Sequence, residues 1–199
     1  MGHMTEPMAL VRHRIGATDY YRMAQAGLFG ANDRVELIEG EIVARTPAGS
    51  RHASVVKRLN LLLAKAAADR LIVAVRDPLH LAADSGPEPD LMLLAPRPDF
   101  YASAHPAAAD VSLLIEVGDT SLRFDREVEL PLYARHRIAE VWLIDLEACR
   151  VELCRALRAD GSGYGERRIV SAGFIAPQAL PAASIDVAAL FPWQSGPPA

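Results

Sequence analysis

Residues 110–120, DVSLLIEVGDT, set one carboxylate, Glu116, among Leu113, Leu114, Ile115 and Val117. A short apolar run of this kind reads as a buried strand. Strand alternation puts Val111, Leu113, Ile115 and Val117 on one face and Ser112, Leu114 and Glu116 on the other. Glu116 must therefore point at a neighbouring helix or into a cleft. Taking an unpaired carboxylate out of water costs several kcal/mol, as an order of magnitude. Protonation, an arginine partner or a bound cation can each offset that cost. A chain that builds a strand around such a group has to supply one of the three.

Asp90 bears on the choice. It follows Pro89 and opens DLMLL, another short apolar run. If the two strands are neighbours, two carboxylates converge. Each then raises the pKa of the other unless a divalent cation lies between them. A carboxylate pair on rigid strands suits Mg²⁺ (or Mn²⁺), which takes one or two carboxylates and completes its shell with water and phosphate. Such an ion polarises a phosphodiester and yields hydroxide from bound water. An ordinary strand-end Glu, or one paired with arginine, is the alternative that the residues leave open.

The rest of the chain predicts the setting. Thr18 is a candidate cap for a helix to Ala26, with Gly27 as its stop. RVELIEGEIVAR reads as a hairpin turning at Glu39-Gly40. Val55, Leu59, Leu62 and Ala66, joined by Val56 and Leu63, recur at helical spacing after Ser50. LIVAVRD, LHLAAD, DLMLL and EVWLIDL read as strands, and residues 95–110 as a loop. A helix is predicted from Asp125 toward Arg137, kinked or restarted by Pro131. RVELCRAL and ERRIVS frame a hairpin around a glycine-rich turn, and residues 177–193 form a tail packed on the body. This order predicts one α/β domain over residues 5–193, a mixed sheet with helices packed on it. Met1 to Met4 read as an expression remnant and residues 194–199 as a disordered tail.

Composition narrows the partners. A net charge of −4 argues mildly against a general polyanion binder but leaves room for a locally basic groove. Lys57 and Lys65 are the only lysines. Cys149 and Cys154 make neither a disulfide framework nor a four-ligand zinc site, which fits a reducing cytoplasm. No apolar run approaches a membrane span, and there is no Walker loop, dinucleotide fingerprint or HExxH.

VELIEGEIV (35–43), His52 at a helix start, EPD (88–90), LLIEV (113–117), FDREVELPLYARHRIAEVWLID (124–145) and VAALFP (187–192) come in this order. Together they resemble the Uma2 (Uma-two) restriction endonuclease family of the PD-(D/E)XK nuclease superfamily. The resemblance implies a restriction-endonuclease-like fold, a mixed central β-sheet flanked by α-helices. It implies an Mg²⁺-dependent nuclease acting on DNA, with Asp90 and Glu116 as metal ligands and Glu36 assisting the metal or its water shell. On the residues alone, Glu36 reads equally as a solvent-facing strand residue. His52 either reaches substrate phosphate or merely caps its helix. A homodimer is compatible with cutting both strands, though no sequence feature demonstrates one.

One position departs from the pattern. Members that this chain resembles carry a lysine four residues before the Tyr of LYA; here Glu129 stands there. That lysine is expected to position the attacking water and to stabilise developing charge. Arginine replaces only the electrostatic part of that role, because its pKa is above 12. Three readings follow. Arg126 or Lys57, with Arg123 nearby, supplies the missing charge; or Glu129 is a further metal ligand; or catalysis has lapsed and the domain binds DNA or a protein without cutting.

Overall fold

A computed structural model describes residues 12–30 and 33–194. The chain opens with α1 (Ala17–Gln25), which starts just before the expected Thr18 cap, with Gly16 at the cap position. Gly27 follows it with φ +73° and ends the helix as anticipated. β1 (Val35–Ile38) and β2 (Glu41–Ala44) then pair as a hairpin with Ile38 opposite Glu41. Glu39 and Gly40 both have positive φ, the geometry of a two-residue primed turn. α2 (Ser50–Ala67) buries Val55, Val56, Leu59, Leu63 and Ala67, a stripe rotated slightly from the predicted one.

Six strands form the central sheet. They are β3 (Ile72–Ala74), β4 (Leu91–Leu94), β5 (Val111–Gly118), β6 (Val141–Asp145), β7 (Arg150–Leu157) and β8 (Tyr164–Val170). They lie in the order β3-β4-β5-β6-β7-β8. Only β5 and β6 run parallel. Their crossover is the helical segment from Leu122 to Arg135, because parallel neighbours cannot be joined by a tight turn. The sheet is therefore mixed. LHLAAD, expected to be a strand, is instead an irregular loop. Leu79 N–H donates to Pro87 O and Leu81 N–H to Ser85 O, so the segment folds on its own turn rather than joining the sheet.

Two apolar layers sandwich the sheet. On one face, Val55, Leu59 and Leu63 of α2 meet Leu91, Leu93, Leu113, Ile115 and Trp142. The tail closes that face: β9 (Phe174–Ile175) pairs with β10 (Ile185–Asp186), and α5 (Val187–Leu190) brings Leu190 and Phe191 into the core. On the other face, Leu130, Tyr133 and Ala134 meet Met92, Leu114, Val141 and Leu143. Leu113, Ile115 and Val117 thus face α2, while Leu114 faces the opposite layer, as strand alternation requires. Val111 crosses to the second layer, beside the register shift at Leu93/Leu94.

The crossover helix departs from the expected one. It begins at Leu122 rather than Asp125: α3 (Leu122–Phe124), a π turn over Asp125–Glu129, then α4 (Leu130–Arg135). Pro131 lies in the first turn of α4, where its missing N–H costs least. The π turn absorbs the interruption that the proline would otherwise impose, and it turns both Asp125 and Glu129 into the interior. Gln194 closes a short 3₁₀ turn with Pro192 and Trp193. Residues 195–199 and the Met1–Met4 segment lie outside the described residues.

Candidate active site

Extending the antiparallel register of β4 and β5 by one step beyond Leu91–Ile115 brings Asp90 opposite Glu116. Directly opposed residues place their Cβ atoms about 4.5–5.5 Å apart on one face. The two residues therefore lie near one another at the end of the sheet, and the Asp90 charge helps to raise the Glu116 carboxyl. Asp90 is fixed from three directions. Val117 N–H donates to its Oδ2 at 3.0 Å, Arg76 Nε–H donates to its Oδ1 at 3.2 Å, and His52 Nε2 lies 2.9 Å from Oδ2. Glu116 is 1% exposed and bonds to the Tyr133 hydroxyl at 2.6 Å. Burial, with Glu129 and Asp90 nearby, pushes its carboxyl well above the ordinary range.

Three more carboxylates are buried beside this pair. Glu36 comes from β1, and Asp125 and Glu129 come from the π turn. Glu36 is thus not solvent-facing. Its pKa is pushed up from 4.5 to about 7, chiefly by burial and against the pull of Arg45. Burial also raises Glu129 well above its usual value and raises Asp125. Arg45, just past the end of β2, lies among them. It approaches Glu36 at 3.3 Å and Asp125 and Glu129 at 3.4 Å each, with its guanidinium 5.4 Å from the centre of the Phe124 ring. These carboxylates hold the Arg45 pKa above its ordinary value.

A cleft of about 240 Å³ opens beside the cluster. Arg34, Arg45, Arg76 and His52 line it together with Glu36, Glu88, Asp90 and Asp119. His52 reaches it from the first turn of α2, held between Asp90 and Arg76, whose nitrogen lies 3.3 Å from Nδ1. The other expected substrate contacts are elsewhere. Lys57 is on the exposed side of α2 and does not line the cleft. Arg123 is exposed and pairs with Glu127 at 3.0 Å. Arg126 pairs with Glu152 of β7 at 3.2 Å. Lying only six and three residues before Glu129 did not bring Arg123 and Arg126 to the site, because the helix turns the first outward and the second toward β7.

The sequence suits this chain to the family pattern named above: the Uma2 profile, described as "Putative restriction endonuclease", matches residues 17–188. The chain belongs to the Uma2 family. Among solved structures it is similar to a protein from Anabaena variabilis, described as "a putative nuclease belonging to DUF820". The identity is 15% and the TM-score 0.68, over 90% of this chain and 98% of that one. This likeness carries the fold, which is restriction-endonuclease-like. No curated protein matches the chain.

No three His, Cys, Asp or Glu side chains converge as a ready cage among the described residues. Mg²⁺ does not need one, since it binds through one or two carboxylates and keeps several waters. Five carboxylates, Glu36, Asp90, Glu116, Asp125 and Glu129, are each less than a tenth exposed. Glu36 Oε2 and both Glu129 carboxylate oxygens are buried without a hydrogen-bond donor. Buried acceptors without donors are costly, and a hydrated cation would satisfy them. The open oxygens belong to Glu36 and Glu129, whereas both oxygens of Asp90 and Oε1 of Glu116 already have protein partners.

Arg45, Arg76, Asp125 and Tyr133 were not singled out as site residues from the sequence. Tyr133 is fully buried, and its hydroxyl donates to Glu116. Arg45 follows an ordinary hairpin and carries no local motif. Only the folding of that hairpin onto the π turn reveals its role.

Proposed function

We propose that this protein is a metal-dependent endonuclease that hydrolyses DNA phosphodiester bonds. Membership of the Uma2 family supports a nuclease. The observation that carries the reading is the nearness of Asp90 to Glu116 just past the last registered pair of β4 and β5, among five buried carboxylates three of which approach Arg45. Asp90 and Glu116 would hold Mg²⁺ or Mn²⁺, which when bound polarises the phosphodiester and lowers the pKa of water. The protein's own groups prepare that site. Val117 N–H and Arg76 orient Asp90, and Tyr133 orients Glu116. Glu36 and Glu129 present bare carboxylate oxygens to which ordered water can donate. Basic side chains lining the cleft, Arg45 among them, give a DNA backbone its positive contacts despite the chain's net charge of −4.

The test is supercoiled plasmid incubated with Mg²⁺ or Mn²⁺, beside a Glu116→Ala variant. Nicking that disappears with chelator and in the variant is the expected result. A second reading, a domain that binds DNA or protein without cutting, is favoured by Asp90 having protein partners on both oxygens. Calorimetric Mn²⁺ titration separates the two. Heat that saturates in the wild type and vanishes in Glu116→Ala supports the enzyme. No binding heat and no nicking supports the second reading.

A further inference from the structure

We propose that Arg45 is the cation that meets the scissile phosphate in this chain, and that Glu129 and Asp125 are positioning residues that hold it there. The inference rests on the nuclease reading above and assigns the basic group of the same site. Of the basic side chains near the site, the others are engaged elsewhere or distant. Arg76 and His52 are held on Asp90, and Arg34 contacts Thr46 O at 3.4 Å. Lys57 is off the cleft, while Arg123 and Arg126 pair with Glu127 and Glu152.

Arg45 has a different arrangement. Its side chain is 15% exposed, so the charge is anchored yet still lines the cleft shared with Asp90. Three carboxylates approach through three different nitrogens: Glu36 at Nε, Asp125 and Glu129 at the two terminal nitrogens. A guanidinium carries five N–H donors in one rigid plane. Three such contacts leave two N–H groups over. The 3.3–3.4 Å separations are also longer than the about 2.7–2.9 Å of a tight charge-assisted bond. The carboxylates thus locate the charge without saturating it. Arg45 is the only ion-pair partner of Glu129 among the described residues.

The polarity of the pair is the reverse of the one the family pattern suggests. The strand hairpin supplies the cation and the helix supplies the anion. A fixed cation aimed where charge develops stabilises the transition state electrostatically. Arg45 does not act as a base, because a guanidinium does not give up its proton in a protein. Its contribution is therefore to phosphate charge alone.

The experiment measures binding of a short fluorescent DNA duplex in Ca²⁺, across a salt series, for three proteins: wild type, R45M/E129M and R45M/E129K. The first double variant removes the cation and its partner together, which avoids stranding Glu129 as an unpaired buried charge. The second moves the cation to the helix. Loss of one phosphate contact is expected to weaken R45M/E129M about tenfold and to reduce its log–log salt slope by about one. R45M/E129K is expected to regain both. Thermal melting checks that each variant is folded. R45M/E129M that is folded and binds like wild type, with the same slope, overturns the role of Arg45. If that variant does not fold, R45M/E129K decides: a folded protein with affinity and slope near wild type supports the proposal, and one that has lost both overturns it. Wild type that neither binds nor nicks DNA overturns the nuclease reading, and this role with it; wild-type binding with an indifferent R45M/E129M overturns this role alone.

Discussion

The carboxylates at this site are held by unlike partners. Asp90 takes a backbone N–H and two basic side chains, Glu116 takes a phenol, and Glu36, Asp125 and Glu129 divide one guanidinium. Tyr133 is the most exposed to test, in the sense that one atom carries its polar role. Tyr133→Phe keeps the ring that fills the core and removes only the hydroxyl. It leaves Glu116 Oε1 without that partner, and a stability loss of about 1–3 kcal/mol is expected in urea denaturation. A variant as stable as wild type would mean that water or another donor replaces the phenol. The same substitution is expected to weaken Mn²⁺ binding by calorimetry, because the second carboxylate is no longer held in orientation.

At the level of elements, the site is assembled where β5 hands over to the crossover helix. Gly118 ends β5, and the helix begins four residues later. A Cβ at Gly118 would lie 2.7 Å from Asp125 Oδ2 and 2.9 Å from the Leu122 backbone. The close approach lets the π turn bring Asp125 to the sheet end. Gly118→Ala must push the helix start away, at a cost of about 1–3 kcal/mol. Chemical denaturation is expected to show that loss, and plasmid nicking is expected to fall further than stability alone explains, since the displaced Asp125 is one of the contacts that fix Arg45. Equal stability in the two proteins would show that the helix shifts freely.

Over the whole molecule, the buried acids make stability depend on pH with a definite sign. Glu36 rises from 4.5 to about 7 in the folded protein, and Asp125 and Glu129 are raised as well. A carboxyl whose folded pKa exceeds its unfolded one is protonated more readily in the native state. Its stabilising contribution is complete below the unfolded value and is lost as pH rises through the folded value. Between about pH 4.5 and 7 the melting temperature is therefore expected to fall, by several degrees at about 2–4 °C per kcal/mol for a chain of this size. Added Mn²⁺ is expected to restore it at pH 8 and to do little at pH 5, where protons occupy the same oxygens. Differential scanning calorimetry at the two pH values checks both halves. A melting temperature that rises with pH over that window would contradict the assignment.

Periodicity alone determined much of this protein. Alternation in residues 113–117, helical spacing in residues 55–66 and the Glu39-Gly40 turn each follow from rules acting over a few residues, and each is present in the fold. LHLAAD failed the same rule because strand pattern does not guarantee a place in the sheet: Leu81 and Ala82 N–H groups turn back on Ser85 O, and His80 N–H goes to Pro106 O. Asp90 and Glu116 were likewise visible, since a charge in or at the start of an apolar run stands out, while Glu36 and Glu129 drew notice through the family pattern and Asp125 did not. The partners of these acids were not visible. Arg45 and Glu129 are far apart in sequence and meet only when a hairpin folds over a π turn, while Arg123 and Arg126, close in sequence, face away. Local forces choose the elements; which charge neutralises which is decided by how the packed elements bring distant side chains into the low-dielectric interior, where a partner at 3–4 Å matters most.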